Sequence, residues 1–141
     1  MSVYEQSVDT QEVSSCPFCG KVEAASGFVS ENESAVSFLD GFPVSEGHAL
    51  VVPRVHVGRV EQLDSRQWTE LFELVHQVAI EVSAMPGVDG LNVGVNSGEA
   101  AGQTVGHAHV HVIPRRVGDV PDPRGGIRWV LPEQADYWTG R

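Results

Sequence analysis

Three histidines, His107, His109 and His111, alternate with Ala108 and Val110 in a run that continues Val112-Ile113-Pro114. On a β-strand, residues i, i+2 and i+4 project from one face, about 6.5–7 Å apart per pair, which places three imidazoles on one side and valines on the other. Half of the chain's six histidines fall within these five residues. Burying three such rings without a task would need three separate hydrogen-bond solutions, so the run points to chemistry. Neutral imidazole has two uses here. It ligates metal ions, and His-x-His-x-His offers zinc three nitrogens. With an ordinary pKa near 6.5 it is also available at neutral pH as a nucleophile toward phosphorus. That second use requires an acceptor for the other ring nitrogen, donors for the phosphate oxygens and a proton for the leaving group. Gly102-Gln103-Thr104, just upstream, supplies flexible backbone N–H groups, an amide and a hydroxyl.

A second reactive group is Cys16-Pro17-Phe18-Cys19-Gly20, a C-x-x-C knuckle. Two cysteines cannot build a disulfide framework and point to metal or redox chemistry. A thioredoxin-type pair follows a strand and opens a helix, whereas the residues after Gly20 read as a quick passage into turns. A tetrahedral zinc would need two more ligands. His76 lies beside an apolar helical stripe with no chemical company and reads as structural or exposed.

The elements that must position these groups fit one domain. The chain has 141 residues and 15.2 kDa, with 41% apolar and 20% charged residues, enough for a core. A net charge of −10 argues against coating nucleic acid or an anionic membrane. No apolar run reaches the roughly 18–20 residues that span a bilayer, and the N-terminus shows no secretory signal, so a cytoplasmic location is expected. Five arginines (Arg115, Arg116, Arg124, Arg128, Arg141) follow the histidine run. They read as solvated surface charges that could also favour an anionic small molecule.

Residues 1–15 read as a flexible arm, and 16–141 as a single domain. Strands are expected at 27–30, 35–39, 48–53, 91–96 and 107–113, the last ended by Pro114. One long helix starts at Asp64 or Ser65, where Asp64 and Gln67 make a capping box. Trp68, Leu71, Phe72, Val75, Val78, Ala79 and Val82 form its apolar stripe, and Pro86-Gly87 ends it. Trp68 and Phe72 suit either core or interface. Trp129, Tyr137 and Trp138, near Arg124 and Arg128, are candidates to cover a substrate mouth or reach another subunit. The fold class is α+β: about five mostly antiparallel strands, one long helix and a short N-terminal knuckle.

Gln103-Thr104-Val105-Gly106-His107-Ala108-His109-Val110-His111-Val112-Ile113-Pro114-Arg115 resembles the signature of the histidine-triad (HIT) superfamily of nucleotide hydrolases and transferases. The resemblance runs from Cys16 to about Pro114, roughly two thirds of the chain, and includes Gly47-His48-Ala49-Leu50-Val51-Val52-Pro53 and Asn96. It implies a HIT-like fold and a purine nucleotide substrate containing AMP. The α-phosphate of a phosphoanhydride or phosphoramidate, such as a dinucleoside polyphosphate or adenosine phosphoramidate, would be attacked through a nucleotidyl-histidine intermediate. It implies His109 as nucleophile, His111 beside the phosphate, and His48 near the nucleophile's pocket. Thr104 and Gln103 would contact phosphate and leaving group, with Gly102 giving backbone access. Asn96 would contact substrate, and Asp40 the ribose hydroxyls, although Asp40 before Gly41 also suits a plain turn. Members with such a knuckle resemble the uridylyltransferase branch, which implies structural zinc on Cys16, Cys19, His56 and His107. His107 and His109 would then serve different sites from one strand face, which calls for strand twist or a bulge near Gly106. The resemblance also implies a homodimer. A nucleotide-binding interaction module with little turnover is the alternative, since it would use the same pocket residues.

Overall fold

The computed structural model describes residues 7–140. Its β-branched runs form five strands, β1 (Ser30–Glu31), β2 (Ala35–Leu39), β3 (Ala49–Pro53), β4 (Gly90–Val95) and β5 (Val110–Arg115). They make one sheet in the order β1-β2-β3-β5-β4, with every pairing antiparallel. Helices are α1 (Pro17–Ala24), the 19-residue α2 (Ser65–Ser83) and α3 (Pro132–Ala135). The α+β architecture is the one expected. No helix of the described residues is long and apolar enough to cross a membrane.

Helix α2 starts as its residues dictate: Asp64 accepts from the Gln67 backbone N–H at 2.8 Å while the Gln67 side chain accepts from Asp64 N–H at 3.0 Å. Its buried stripe, Leu71, Leu74, Val75, Val78 and Val82, packs against Ala35, Ala49, Val51, Ala108, Val110 and Val112 on one sheet face. On the opposite face Val36, Phe38, Leu50 and Val52 pack under Phe18 and Val22 of α1 and under Phe28. His76 is exposed, and Trp68 is 43% exposed beside Phe72.

Four expectations need correction. The knuckle does open a helix: Cys16 caps α1, its Sγ accepting from Cys19 N–H at 3.3 Å, and Ala25 at φ 50° ends it. The expected strand at 27–30 shrinks to β1. Strand β5 begins only at Val110, so His107 and His109 lie ahead of it, and it runs through Pro114. That proline is tolerated because β3 pairs β5 only as far as Val112, leaving no partner for its missing N–H on that side. Finally, residues 7–15 are folded onto the domain. Val8 and Gln11 are buried, Val8 N–H donates to Glu99, and Gln11 Oε1 accepts from Gly106 N–H. Gly106 admits this crossing: a Cβ there would lie 2.6 Å from the Val8 carbonyl oxygen. Residues 1–6 of the expected arm lie outside the described residues.

Candidate active site

On the α1 side of the sheet lies a cleft of about 440 Å³, lined among others by Phe18, Phe38, Asp40, Asn96, His109 and His111. His107, His109 and His111 all face this side, while Ala108, Val110 and Val112 enter the core beneath α2. The three rings do not converge on one point. Each Nδ1 has a different partner, so the triad does not form a three-nitrogen metal site.

The partners determine each tautomer. His109 Nδ1 lies 2.8 Å from the His107 carbonyl oxygen, which can only accept, so Nδ1 carries the proton and Nε2 keeps its lone pair. Val44 N–H donates to His48 Nδ1 at 3.1 Å, placing the His48 proton on Nε2. That Nε2 is 2.9 Å from His111 Nδ1, which therefore accepts, and His111 carries its own proton on Nε2. The cleft thus holds one imidazole with a lone pair and one with an N–H donor, their ring centroids 5.1 Å apart. Burial lowers the pKa of His109 and of His48, the latter against the opposing pull of Asp40 3.4 Å away. His111 is pushed down to about 4, by burial first and then by His109 and His48. Both cleft imidazoles are neutral at pH 7.

Cys16, Cys19, His56 and His107 converge a short distance along the same face. His107 Nε2–H donates to the Pro53 carbonyl (2.8 Å) and His56 Nε2–H to the Gln11 carbonyl (2.9 Å), so both Nδ1 lone pairs point inward. Their separation is 3.2 Å, Cys16 Sγ is 3.4 Å from His107 Nδ1, and Cys19 Sγ is 3.2 Å from His56 Nδ1 and 3.6 Å from His107 Nδ1. A tetrahedral zinc with ligands at about 2.0–2.3 Å separates neighbouring ligand atoms by roughly 3.3–3.8 Å. Two lone pairs facing each other at 3.2 Å are repulsive unless a cation lies between them, so the donor set fits zinc. Burial lowers His107 to about 4 and, with Cys16 alongside, raises the Cys19 thiol to about 12; a divalent cation reverses the latter effect by favouring thiolate. The rings of His107 and His109 part toward the two sites in the irregular backbone ahead of β5 rather than on the strand itself. Phe18, between the two cysteines, sets its ring edge-on to both His107 and His109, at 5.9 and 5.0 Å.

Asp40, His48, Asn96, Gly102, Thr104, His109 and His111 all line the cleft. Asp40 is also the turn residue it resembled, its Oδ1 accepting from Phe42 N–H. Gln103 is not in the lining. Its buried amide accepts from Gly98 N–H and donates to the Gly58 and Val105 carbonyls, clamping the loop that presents Gly102 and Thr104. Four of the five arginines are engaged elsewhere: Arg115 with Asp119 and Asn92, Arg116 with the Glu46 carbonyl, Arg124 with Asp122, and Arg128 with the Ala135 and Gln134 carbonyls. Arg141 lies outside the described residues. Trp129, Tyr137 and Trp138 pack on one another and on Arg124 and Arg128, away from the cleft. The aromatic wall (Phe18, Phe38, Phe42) and Lys21 went unanticipated. The sequence signal for them was the place of Phe18 and Lys21 within two residues of Cys19.

The HIT domain family model matches residues 21–118. An uncharacterised HIT-like protein of Mycoplasma genitalium is 36% identical over 110 residues, covering 77% of this chain and 78% of its own. The adenosine 5'-monophosphoramidase hnt1 of Schizosaccharomyces pombe is 37% identical over 103 residues, covering 72% and 74%. Among solved structures, a zinc-bound histidine triad family protein from Mycobacterium smegmatis superposes with a TM-score of 0.66 at 32% identity, covering 79% of this chain and 86% of that one. With its matched span holding the cleft histidines and all five strands, the chain belongs to the HIT domain family.

Proposed function

We propose that this protein is a nucleotide hydrolase or transferase. It attacks the α-phosphorus of a nucleoside phosphoanhydride or phosphoramidate through His109 and releases a nucleoside monophosphate. The observation that carries this reading is the His109 tautomer. Its Nδ1–H is held by the His107 carbonyl at 2.8 Å, leaving a neutral Nε2 lone pair in the cleft. The phosphoramidase activity in the name of the S. pombe relative supports the same reaction class.

In the first step His109 Nε2 forms a bond to the α-phosphorus as the bond to the leaving group breaks, a phosphate departing as its anion and an amine departing neutral from the N-protonated phosphoramidate. The imidazole becomes cationic, and the His107 carbonyl on Nδ1–H steadies it. His111 Nε2–H donates to a phosphate oxygen, with His48 holding the ring through Nδ1. Thr104 and Asn96, with backbone at Gly102, hold the phosphate and leaving group. Asp40 accepts from the ribose hydroxyls. Water then attacks the same phosphorus and the P–N bond breaks. The water's oxygen and one hydrogen stay on the monophosphate, its other proton passes to solvent, and His109 is restored. An acceptor other than water makes the reaction a transfer. Cys16, Cys19, His56 and His107 would hold a zinc ion that supplies cross-linking of the fold rather than chemistry.

His109→Asn should lower turnover of adenosine phosphoramidate or diadenosine polyphosphates by at least about a thousandfold while nucleotide binding persists. Rapid-quench labelling with a slow substrate should place the nucleotide on His109. Saturating substrate with no monophosphate formed above the His109→Asn control, but with binding intact, would favour a nucleotide-binding module instead.

A further inference from the structure

We propose that Lys21 reads the base of the bound nucleotide and makes the cleft prefer 6-oxopurines, guanine and hypoxanthine, over adenine. This rests on the nucleotide reading of the cleft. Lys21 is the chain's single lysine, and no other lysine or arginine lines the cleft. It sits in the last turn of α1, exposed, with its ammonium 5.5 Å from the centroid of Phe38. Among the described residues no carboxylate lies within ion-pair distance of it. A cation in an acidic protein, placed on a cleft wall without an anionic partner, is available to a ligand.

Ring contacts place it at the base end. His109 contacts Phe18 at 5.0 Å, Phe18 contacts Phe38 at 5.7 Å, and Phe38 lies under Lys21 at 5.5 Å. His109, Phe18, Phe38 and the ammonium thus form a continuous run of contacts along one wall. Asp40, two residues beyond Phe38, stands near His48. A nucleotide with its α-phosphorus at His109 and its ribose at Asp40 lays its base along the Phe18–Phe38 wall and ends beside Lys21. The aromatic wall accepts any base, because every base has a π-face. The ammonium discriminates, because it has three donors and no acceptor. Guanine and hypoxanthine offer it two adjacent acceptors, N7 and O6. Adenine offers N7 beside an amino group whose hydrogens repel a cation.

The test is calorimetric titration of the intact protein, and of Lys21→Met, with GMP, IMP and AMP. Met keeps the apolar stem, and the exposed site predicts an unchanged melting temperature. The expected result is GMP and IMP binding about tenfold more tightly than AMP, with the ratio falling toward one in Lys21→Met. An equal affinity for the three nucleotides in the native protein would overturn the proposal. So would a ratio that survives the substitution, including the case where all three weaken together, which would mark Lys21 as a phosphate contact. Failure of all three to bind would remove the nucleotide reading itself, an outcome distinct from binding without discrimination.

Discussion

Each imidazole of the cleft is committed through one nitrogen to a fixed partner, and that commitment decides what the other nitrogen can do. His109 gives its proton to a backbone carbonyl and keeps a lone pair; His111 accepts from His48 and keeps a proton. One ring thereby offers a lone pair and its neighbour an N–H, without any difference in residue type. The arrangement depends on His111 staying neutral. Its folded pKa of about 4 lies below the ordinary 6.5, so the folded state resists protonation. Stability from this group is fully present above pH 6.5 and is lost as pH falls through about 4. NMR titration of the His111 ring should show a midpoint near 4, and a midpoint at 6 or above would contradict the buried, neutral donor.

At the scale of elements, α1 joins the two sites. An eight-residue helix is too short to persist alone, so its position depends on what it touches. Phe18 and Val22 pack on β2 and β3, Cys16 and Cys19 meet His56 and His107, and Pro17, Phe18 and Lys21 line the cleft. Anchoring the cysteines therefore also anchors one wall of the cleft. Cys19→Ser should purify without stoichiometric zinc, as read by elemental analysis, and should melt at least about 5 °C lower. Its nucleotide affinity should fall as well, since Phe18 is then released from His109. Full zinc content with an unchanged melting temperature would show that the cluster does not hold α1. The helix escaped the sequence reading because Gly20 and the Ala25-Ser26-Gly27 end look turn-like, and only packing against the sheet makes a helix there. Strands β2 and β3 and helix α2 were legible because their periodicity and caps are local. Strand β5 was displaced, since pairing with β3 and β4 rather than alternation sets where a ladder starts.

Across the whole molecule, the sheet has an unshared edge at β4, whose Val93 and Val95 remain 40% and 36% exposed. Both face the α2 side, since they pair opposite Val112 and Val110 of the core. Trp68 and Ile80 are large apolar residues of α2 that stay exposed as well. An open edge with apolar neighbours is a template for a second strand, and the homodimer implied by the family resemblance would cover it. Sedimentation equilibrium should give twice the 15.2 kDa protomer mass, and Val93→Lys should shift it toward the monomer. A monomer at micromolar concentration in the native protein would refute the pairing.

What the sequence determined by itself were the local patterns: histidines alternating with core valines, the capped stripe of α2, and the C-x-x-C pair of Cys16 and Cys19. Side-chain period and capping act within a few residues, so they can be read without the fold. Only the tertiary structure decided which nitrogen of each ring is free. The deciding carbonyl for His107 belongs to Pro53, 54 residues away, and that for His56 to Gln11, 45 residues away. The same holds for Gln103, whose amide is taken up by Gly58, and for residues 7–15, which fold onto Gly106. A hydrogen-bond partner distant in the chain leaves no mark on the local pattern, because only the folded backbone brings donor and acceptor within reach.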